Sequence, residues 1–191
     1  SQNEDNTIEV AVSVMPISIV NEYVEALHQA EIEPIAFEVE SQAIARSVVS
    51  LSEKGAYVII NINPHKAGVY IVKKGIVVFT STILLDEYNR DGYTIEIYLT
   101  REIEKILLFW ETYLGDEIKQ TEHISAIRVV GYNDSWNSII NYLSSELTVR
   151  VQVANVWVNT FSLKDYVPEI KKEDSLRFAA AIGLALPISQ E

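Results

Sequence analysis

The sequence predicts an α/β domain whose sheet mixes antiparallel with parallel strands. Residues 56–83 hold three runs rich in Val, Ile, Tyr and Phe, parted by the turn signals Asn63-Pro64 and Lys74-Gly75. That pattern reads as strand, hairpin, strand, hairpin, strand. Beyond it, helical and strand patterns alternate to the end of the chain. A meander that continues into such alternation needs helices on both faces of one sheet and right-handed crossovers between its parallel strands.

The first run, residues 57–62, is almost unbroken apolar sequence, as expected of a central strand covered on both faces. The loop after it, at the tip of a buried strand, is a natural place for contacts with a ligand or partner. Leading into this core, residues 7–14 alternate polar and apolar and read as a half-buried strand. Val20, Tyr23, Val24 and Leu27 give an amphipathic helix over 17–30, and 35–39 read as a second strand. Ser41 is the expected N-cap of a helix to about Leu51, with Ile44, Val48 and Leu51 on one face.

After the meander, residues 85–93 are polar and turn-rich, and Thr94 or Thr100 caps a long helix. Its Leu99, Ile103, Ile106, Trp110 and Tyr113 form a core stripe, and Gly115 stands at the C-terminal cap position. A strand over 124–130 ends at Gly131, and Ser135 opens a helix with Trp136, Ile139, Ile140 and Leu143 inward. A fifth strand follows over 149–153, then an irregular excursion over 155–172. Asp174 or Ser175 caps a last helix, whose Gly183 would let it lie close to the sheet. This order is the ribonuclease H-like arrangement, shared by actin-type ATPase lobes and several nucleases. The expected organisation is a strand-helix-strand part of a small subdomain (1–40), a connecting helix (41–55) and a lobe (56–191).

With 191 residues, 48% of them hydrophobic, the chain can bury a proper core. Its net charge of −12, from 27 acidic and 15 basic residues, argues against a nucleic-acid backbone or an anionic membrane as direct partner. No apolar run approaches the roughly 20 residues that span a bilayer. The opening SQNEDNT has neither region of a secretory signal, and the absence of cysteine fits the cytosol. His28, His65 and His123 are too scattered for a zinc site, and no nucleophile signature occurs. Glu38 and Glu40, two apart on an expected strand, share a face; they are read as solvated or bonded to Arg46, with metal binding the alternative. A nuclease of this fold would need a metal-holding carboxylate on the first meander strand, and residues 57–63 offer none.

Two stretches carry a resemblance. Tyr23-Val24-Glu25-Ala26-Leu27 followed by Pro34-Ile35-Ala36-Phe37-Glu38-Val39-Glu40-Ser41-Gln42-Ala43-Ile44-Ala45-Arg46 resembles the PilM family of type IV pilus assembly proteins, actin-like relatives of the cell-division protein FtsA. Ala154-Asn155-Val156-Trp157, Tyr166-Val167-Pro168-Glu169-Ile170 and Ala181-Ile182-Gly183-Leu184 are similar to the end of the same family. The resemblance implies two lobes around a nucleotide cleft. This chain would match the latter part of the first lobe's small subdomain and the second lobe, without the first phosphate-binding hairpin.

The departures from that family are specific. Its second phosphate loop opens on Asp-Ile-Gly, where the acid acts through magnesium; here Asn61-Ile62-Asn63 is followed by Pro64. An amide brings no charge to a cation, Asn63 brings a side chain, and Pro64 has no N–H. The family's Gly-Gly pair on the adenosine side reads Gly131-Tyr132-Asn133-Asp134 here, and its Gly-rich turn after the meander reads Leu84-Leu85-Asp86-Glu87. The expectation is a degenerate nucleotide site at Asn61, Asn63, His65, Lys66, Gly131 and Asn133 that uses no cofactor. Plain turn chemistry and partner contact are the competing readings of that loop.

The resemblance thus implies a non-catalytic scaffold at the cytoplasmic face of the inner membrane, held there by a membrane partner's cytoplasmic tail, PilN-like. Val39, Glu40, Gln42 and Arg46 are the candidate docking residues. The alternatives are an actin-like ATPase using ATP and magnesium, with its other lobe outside this chain, and a structural subunit that self-associates.

Overall fold

The computed structural model describes residues 12, 14–114, 123–132, 135–162 and 164–187, with the side chains of 89–91 and 113–114 left aside. The strand expected over 7–14 falls almost wholly outside this range, and so do Gly115, Asn133 and Asp134. The chain divides into two compact units, Ser1–Val39 and Glu40–Glu191.

In the first unit, α1 (Ile17–Gln29) follows Pro16, whose fixed φ suits a helix start. It ends in a Schellman turn: Ile32 N–H donates to the Leu27 carbonyl and Glu31 N–H to the His28 carbonyl, each within 3.0 Å. Glu31 takes the left-handed position, φ 59°, that glycine usually fills. Residues 35–39 are not a strand, contrary to the sequence reading. Alternating apolar residues need a neighbouring edge to become one, and Ile35 is 99% exposed. Glu38 and Glu40 therefore share no strand face, because Glu40 opens a helix.

The second unit is a sheet between two helical layers. β1 (Ala56–Ile62), β2 (Lys66–Lys73) and β3 (Ile76–Leu84) form the expected meander; β4 (Ile124–Gly131) and β5 (Val151–Val153) extend it. The order is β3-β2-β1-β4-β5, with β1 antiparallel to β2 and parallel to β4. Six of the seven β1 residues are buried, as a strand flanked on both edges and covered on both faces requires. The hairpin to β3 turns through Lys74 and Gly75 at φ 53° and 77°, the two positive angles of a type I′ turn, which matches strand twist.

Val58, Ile60 and Ile62 point into one layer with Leu99, Ile103 and Trp110 of α3 (Ile95–Leu114) and Ile139 and Leu143 of α4 (Trp136–Glu146). The helical stripe read from the sequence is thus core up to Trp110. Thr94 precedes α3, whereas Thr100 lies within it and donates to the Glu96 carbonyl. Ile59, Tyr70 and Val72 point the other way, to α2 (Glu40–Val48) and the C-terminal segment. α2 begins one residue before Ser41, which is buried, and Leu51 beyond its end is 76% exposed.

The last helix is not continuous: α5 (Lys172–Ser175), a 3-10 turn over Leu176–Phe178 and α6 (Ala179–Ala185) replace it. Gly183 also approaches α2 rather than the sheet. A Cβ there would stand 1.7 Å from the Ala43 carbonyl oxygen, so only glycine allows the two helices this separation. Arg46 Nη1 donates to the Gly183 carbonyl at 2.9 Å and fixes the same contact from the side.

A buried charge ties β4 to α2. Arg128, 7% exposed, donates to both Glu53 oxygens and, at 2.6 Å, to the Val48 carbonyl, while its guanidinium lies 4.2 Å from the Tyr57 ring centre. Burial alone would raise the Glu53 carboxyl, but hydrogen bonds from Arg128 and the Ser50 N–H, with the guanidinium charge, hold it below its ordinary value.

Two outcomes follow. Gly183→Ala overpacks the α2–α6 contact and should lower stability by about 3 kcal/mol, the upper end of such substitutions, in urea unfolding. Because the Glu53 carboxyl is depressed by folding, it stabilises the native state above its ordinary value of 4.5 and loses that contribution as pH falls through the folded value. Glu53→Gln should therefore be less stable than wild type at pH 7, with the gap closing on acidification in thermal melts.

Candidate functional site

β1 and β4 are parallel neighbours whose carboxyl ends lie together, and the chain leaves them in opposite directions, β1 toward β2 and β4 toward β5. In open α/β sheets this is where a crevice forms. Register places Asn61 beside Val130 and Ile62 beside Gly131. Tyr132 N–H then donates to the Ile62 carbonyl at 2.7 Å, extending the ladder past the strand.

Asn61 is 6% exposed and is not a turn residue. Its Nδ2 donates to Glu40 Oε1 at 3.3 Å, joining the end of β1 to the first turn of α2. Tyr70, across the β1–β2 pair, also bonds to Asn61 through its hydroxyl. Burial, then the negative charge of Glu40, raises the Tyr70 phenol above its ordinary value, so it keeps its proton at neutral pH. Asn61 and Tyr70, both buried, form one polar cluster with the exposed Glu40.

Gly131 sits against this cluster at φ 101°. A Cβ on it would fall 2.1 Å from the Ile62 carbonyl oxygen and 2.8 Å from Asn61 Oδ1. Glycine is therefore required here by the packing of the two strand ends, whatever else it does. The Tyr132 ring lies 4.5 Å from the Arg177 guanidinium, which also reaches Asp174 at 3.5 Å.

The remaining expected residues are at the hairpin tip. Asn63 N–H donates to the Lys66 carbonyl at 2.9 Å, closing the turn. His65 Nδ1 meets Asp86 Oδ1 at 3.1 Å, both groups exposed, and Lys66 is exposed at the start of β2. The candidates thus part into Asn61 and Gly131 at the strand ends and Asn63, His65 and Lys66 on the turn.

Of the docking candidates, Val39 lies in the first unit and the others on α2. Gln42 clamps the β2–β3 hairpin: its Nε2 donates to the Gly75 carbonyl at 2.9 Å and its Oε1 accepts from Val77 N–H at 3.0 Å. Arg46 Nη1 donates to the Gly183 carbonyl. Beside α2 runs a groove of about 500 Å³, bordered by Gln42, Arg46, Ser50, Gly75 and Ile76.

The ties of Asn61 to Glu40 and Tyr70, of His65 to Asp86 and of Tyr132 to Arg177 were not anticipated. Their members are 21, 9, 21 and 45 positions apart, and no local periodicity links such pairs. A magnesium-phosphate group fits this crevice poorly. The buried side chain at the end of β1 is an amide whose NH₂ faces Glu40, so it brings no charge to a cation.

No protein-family model and no curated protein sequence matches the chain. Solved structures do. One described as the PilM–PilN type IV pilus biogenesis complex superposes with a TM-score of 0.66 at 16% identity, covering 87% of this chain and 56% of that one. MreB5 of Spiroplasma citri bound to ADP gives 0.48 at 12% identity, covering 87% and 64%. The ethanolamine utilization protein EutJ of Carboxydothermus hydrogenoformans gives 0.41 at 19%, covering 71% and 57%. The fold is accordingly that of an actin-like ATPase lobe, and the chain spans little more than half of the pilus protein it matches.

Asn61→Asp sets a buried carboxylate against Glu40. It should cost about 3–5 kcal/mol at pH 7. The new group would have a folded pKa raised above its unfolded value, so the loss should shrink as pH falls below that range. Urea unfolding at pH 4 and pH 7 measures this; equal stability at both would mean the cluster readily takes a second negative charge.

Proposed function

We propose that this chain is part of an actin-like scaffold protein that works by recognition without turnover, in the assembly of a type IV pilus or a related machine. The observation that carries the reading is the Asn61 amide turned onto Glu40 at the end of β1. A neutral group satisfied by an internal carboxylate supplies no acid for a cation, and Glu40 adds negative charge where phosphates would lie. The likeness to the pilus complex supports the process.

In this reading the partner is the cytoplasmic tail of an inner-membrane pilus protein, and the scaffold stays at the cytoplasmic face through that tail. The net charge of −12 disfavours direct contact with anionic lipid, and no helix among the described residues is long and apolar enough to cross a membrane. The groove beside α2 is the docking surface, its walls held by Gln42 and Arg46.

Two titrations of the full chain test this. Calorimetry with magnesium-ATP should show no binding at micromolar nucleotide, and micromolar affinity would overturn the non-catalytic reading. A fluorescent peptide copied from the tail of a PilN-type partner should bind saturably, with Ile76→Glu, at the rim of the groove, weakening it. An Ile76→Glu variant that binds as wild type would overturn the docking surface.

A further inference from the structure

The middle of β3 reads alike in both directions. Among the described residues β3 is paired on one side only, by β2. Edges of this kind are usually blunted by charge, proline or a bulge, because their unpaired peptide groups invite another strand. β3, Ile76-Val77-Val78-Phe79-Thr80-Ser81-Thr82-Ile83-Leu84, carries no charged residue and no proline. Its one bulge, at Val78, and the bond from Val77 N–H to Gln42 Oε1 fall at the end tied to α2. From Phe79 onward the register with β2 is regular.

Within this regular stretch the run Phe79-Thr80-Ser81-Thr82-Ile83 is chemically symmetric about Ser81. In two strands related by a two-fold axis, residue i faces residue j of the second copy and j faces i. With the axis at Ser81, Phe79 meets the partner's Ile83, Thr80 meets the partner's Thr82 and Ser81 meets itself. Aromatic with β-branched and threonine with threonine are favourable cross-strand neighbours. A shift of two residues either way sets Ser81 against Phe79 or Ile83 and loses the match. A shift of one turns the second copy over and sets Thr80 or Thr82 against an apolar residue.

We propose that residues 79–83 of β3 pair antiparallel with the same residues of a second copy of this chain, about a two-fold axis at Ser81, joining two sheets into one. The faces agree with this register. Phe79, Ser81 and Ile83 line a groove of about 430 Å³ between β3 and α3, whereas Thr80 and Thr82, at the alternate positions, are exposed. Phe109 of α3, 50% exposed with its ring centre 5.5 Å from that of Phe79, is left to cover the added strand. Of the charged residues at the groove, Glu102 and Lys105 lie 2.5 Å apart and Glu87 has a partner within the chain, so symmetry rather than charge selects the occupant. This surface is separate from the groove beside α2, with which it shares no lining residue.

The test uses the full chain. Light scattering should show a monomer–dimer equilibrium below roughly 1 mM protein, tightening as salt screens the charge of −12 that each copy carries. Thr80→Lys and Thr82→Lys made together set like charges opposite one another and should weaken the dimer at least about tenfold, as should Thr80→Glu with Thr82→Glu. An equimolar mixture of the lysine and glutamate variants should dimerise again, which misfolded variants would not do. Because the chain has no cysteine, Ser81→Cys should form a disulfide with its own copy on mild oxidation. Thr80→Cys, whose copies would stand beyond the ~7 Å that a disulfide bridges, should not. A monomer throughout, a mixture that stays monomeric, or a Thr80→Cys that crosslinks as readily as Ser81→Cys would overturn the proposal. So would a monomer whose 79–83 amides shift in NMR on adding a blocked peptide of alternating valine and threonine, for the occupant would then be another protein's strand.

Discussion

The second unit depends on the burial of β1 along its whole length. Ile59, Ile60 and Ile62 are fully buried, and the strand is paired on both edges, so its peptide groups are satisfied by neighbours instead of water. Apolar side chains leave it in both directions, which forces one helical layer onto each face. The only polar side chain it buries is Asn61, and that residue stands at the carboxyl end, where the two central strands meet the crevice.

Helix α2 is the element through which the rest is joined. Asn61 holds its first turn through Glu40; Arg128 holds its last carbonyl at Val48; Gln42 grips the β2–β3 hairpin; and Arg46 and Gly183 set its distance from α6. Asn159 adds two more bonds, from Nδ2 to the Arg46 and Val49 carbonyls at 2.8 and 2.7 Å. Each bond fixes orientation more than it adds net stability, since water is a good competitor for every group involved. The result is a short helix with several geometric constraints.

Much of this architecture was legible in the chain. The meander was readable because β-branched runs interrupted by Asn-Pro and Lys-Gly leave few other ways to fold, and the α3 stripe because its spacing is helical. The strand expected at 35–39 failed because strand formation is a property of a pair of segments, and no run of residues contains its partner. The last helix is broken at Leu176–Phe178, and its approach to α2 at Gly183 and Ala43 is a contact that helical propensity does not encode. The division of the candidate site had the same origin: Asn61, Asn63 and His65 are near neighbours in sequence, yet one is buried against Glu40 and another bonds to Asp86 in the open.

The residues by themselves determined that there would be a central apolar strand, a hairpin on either side of β2, and an amide in place of an acid after Ile60, because these are properties of side-chain chemistry and short-range spacing. Only the tertiary structure decided that this amide faces Glu40, that Gly131 is held by strand packing, and that Arg128 closes on Glu53. Such pairings join segments 21 to 75 positions apart, and their geometry comes from strand register and helix separation, which exist only once the sheet has formed.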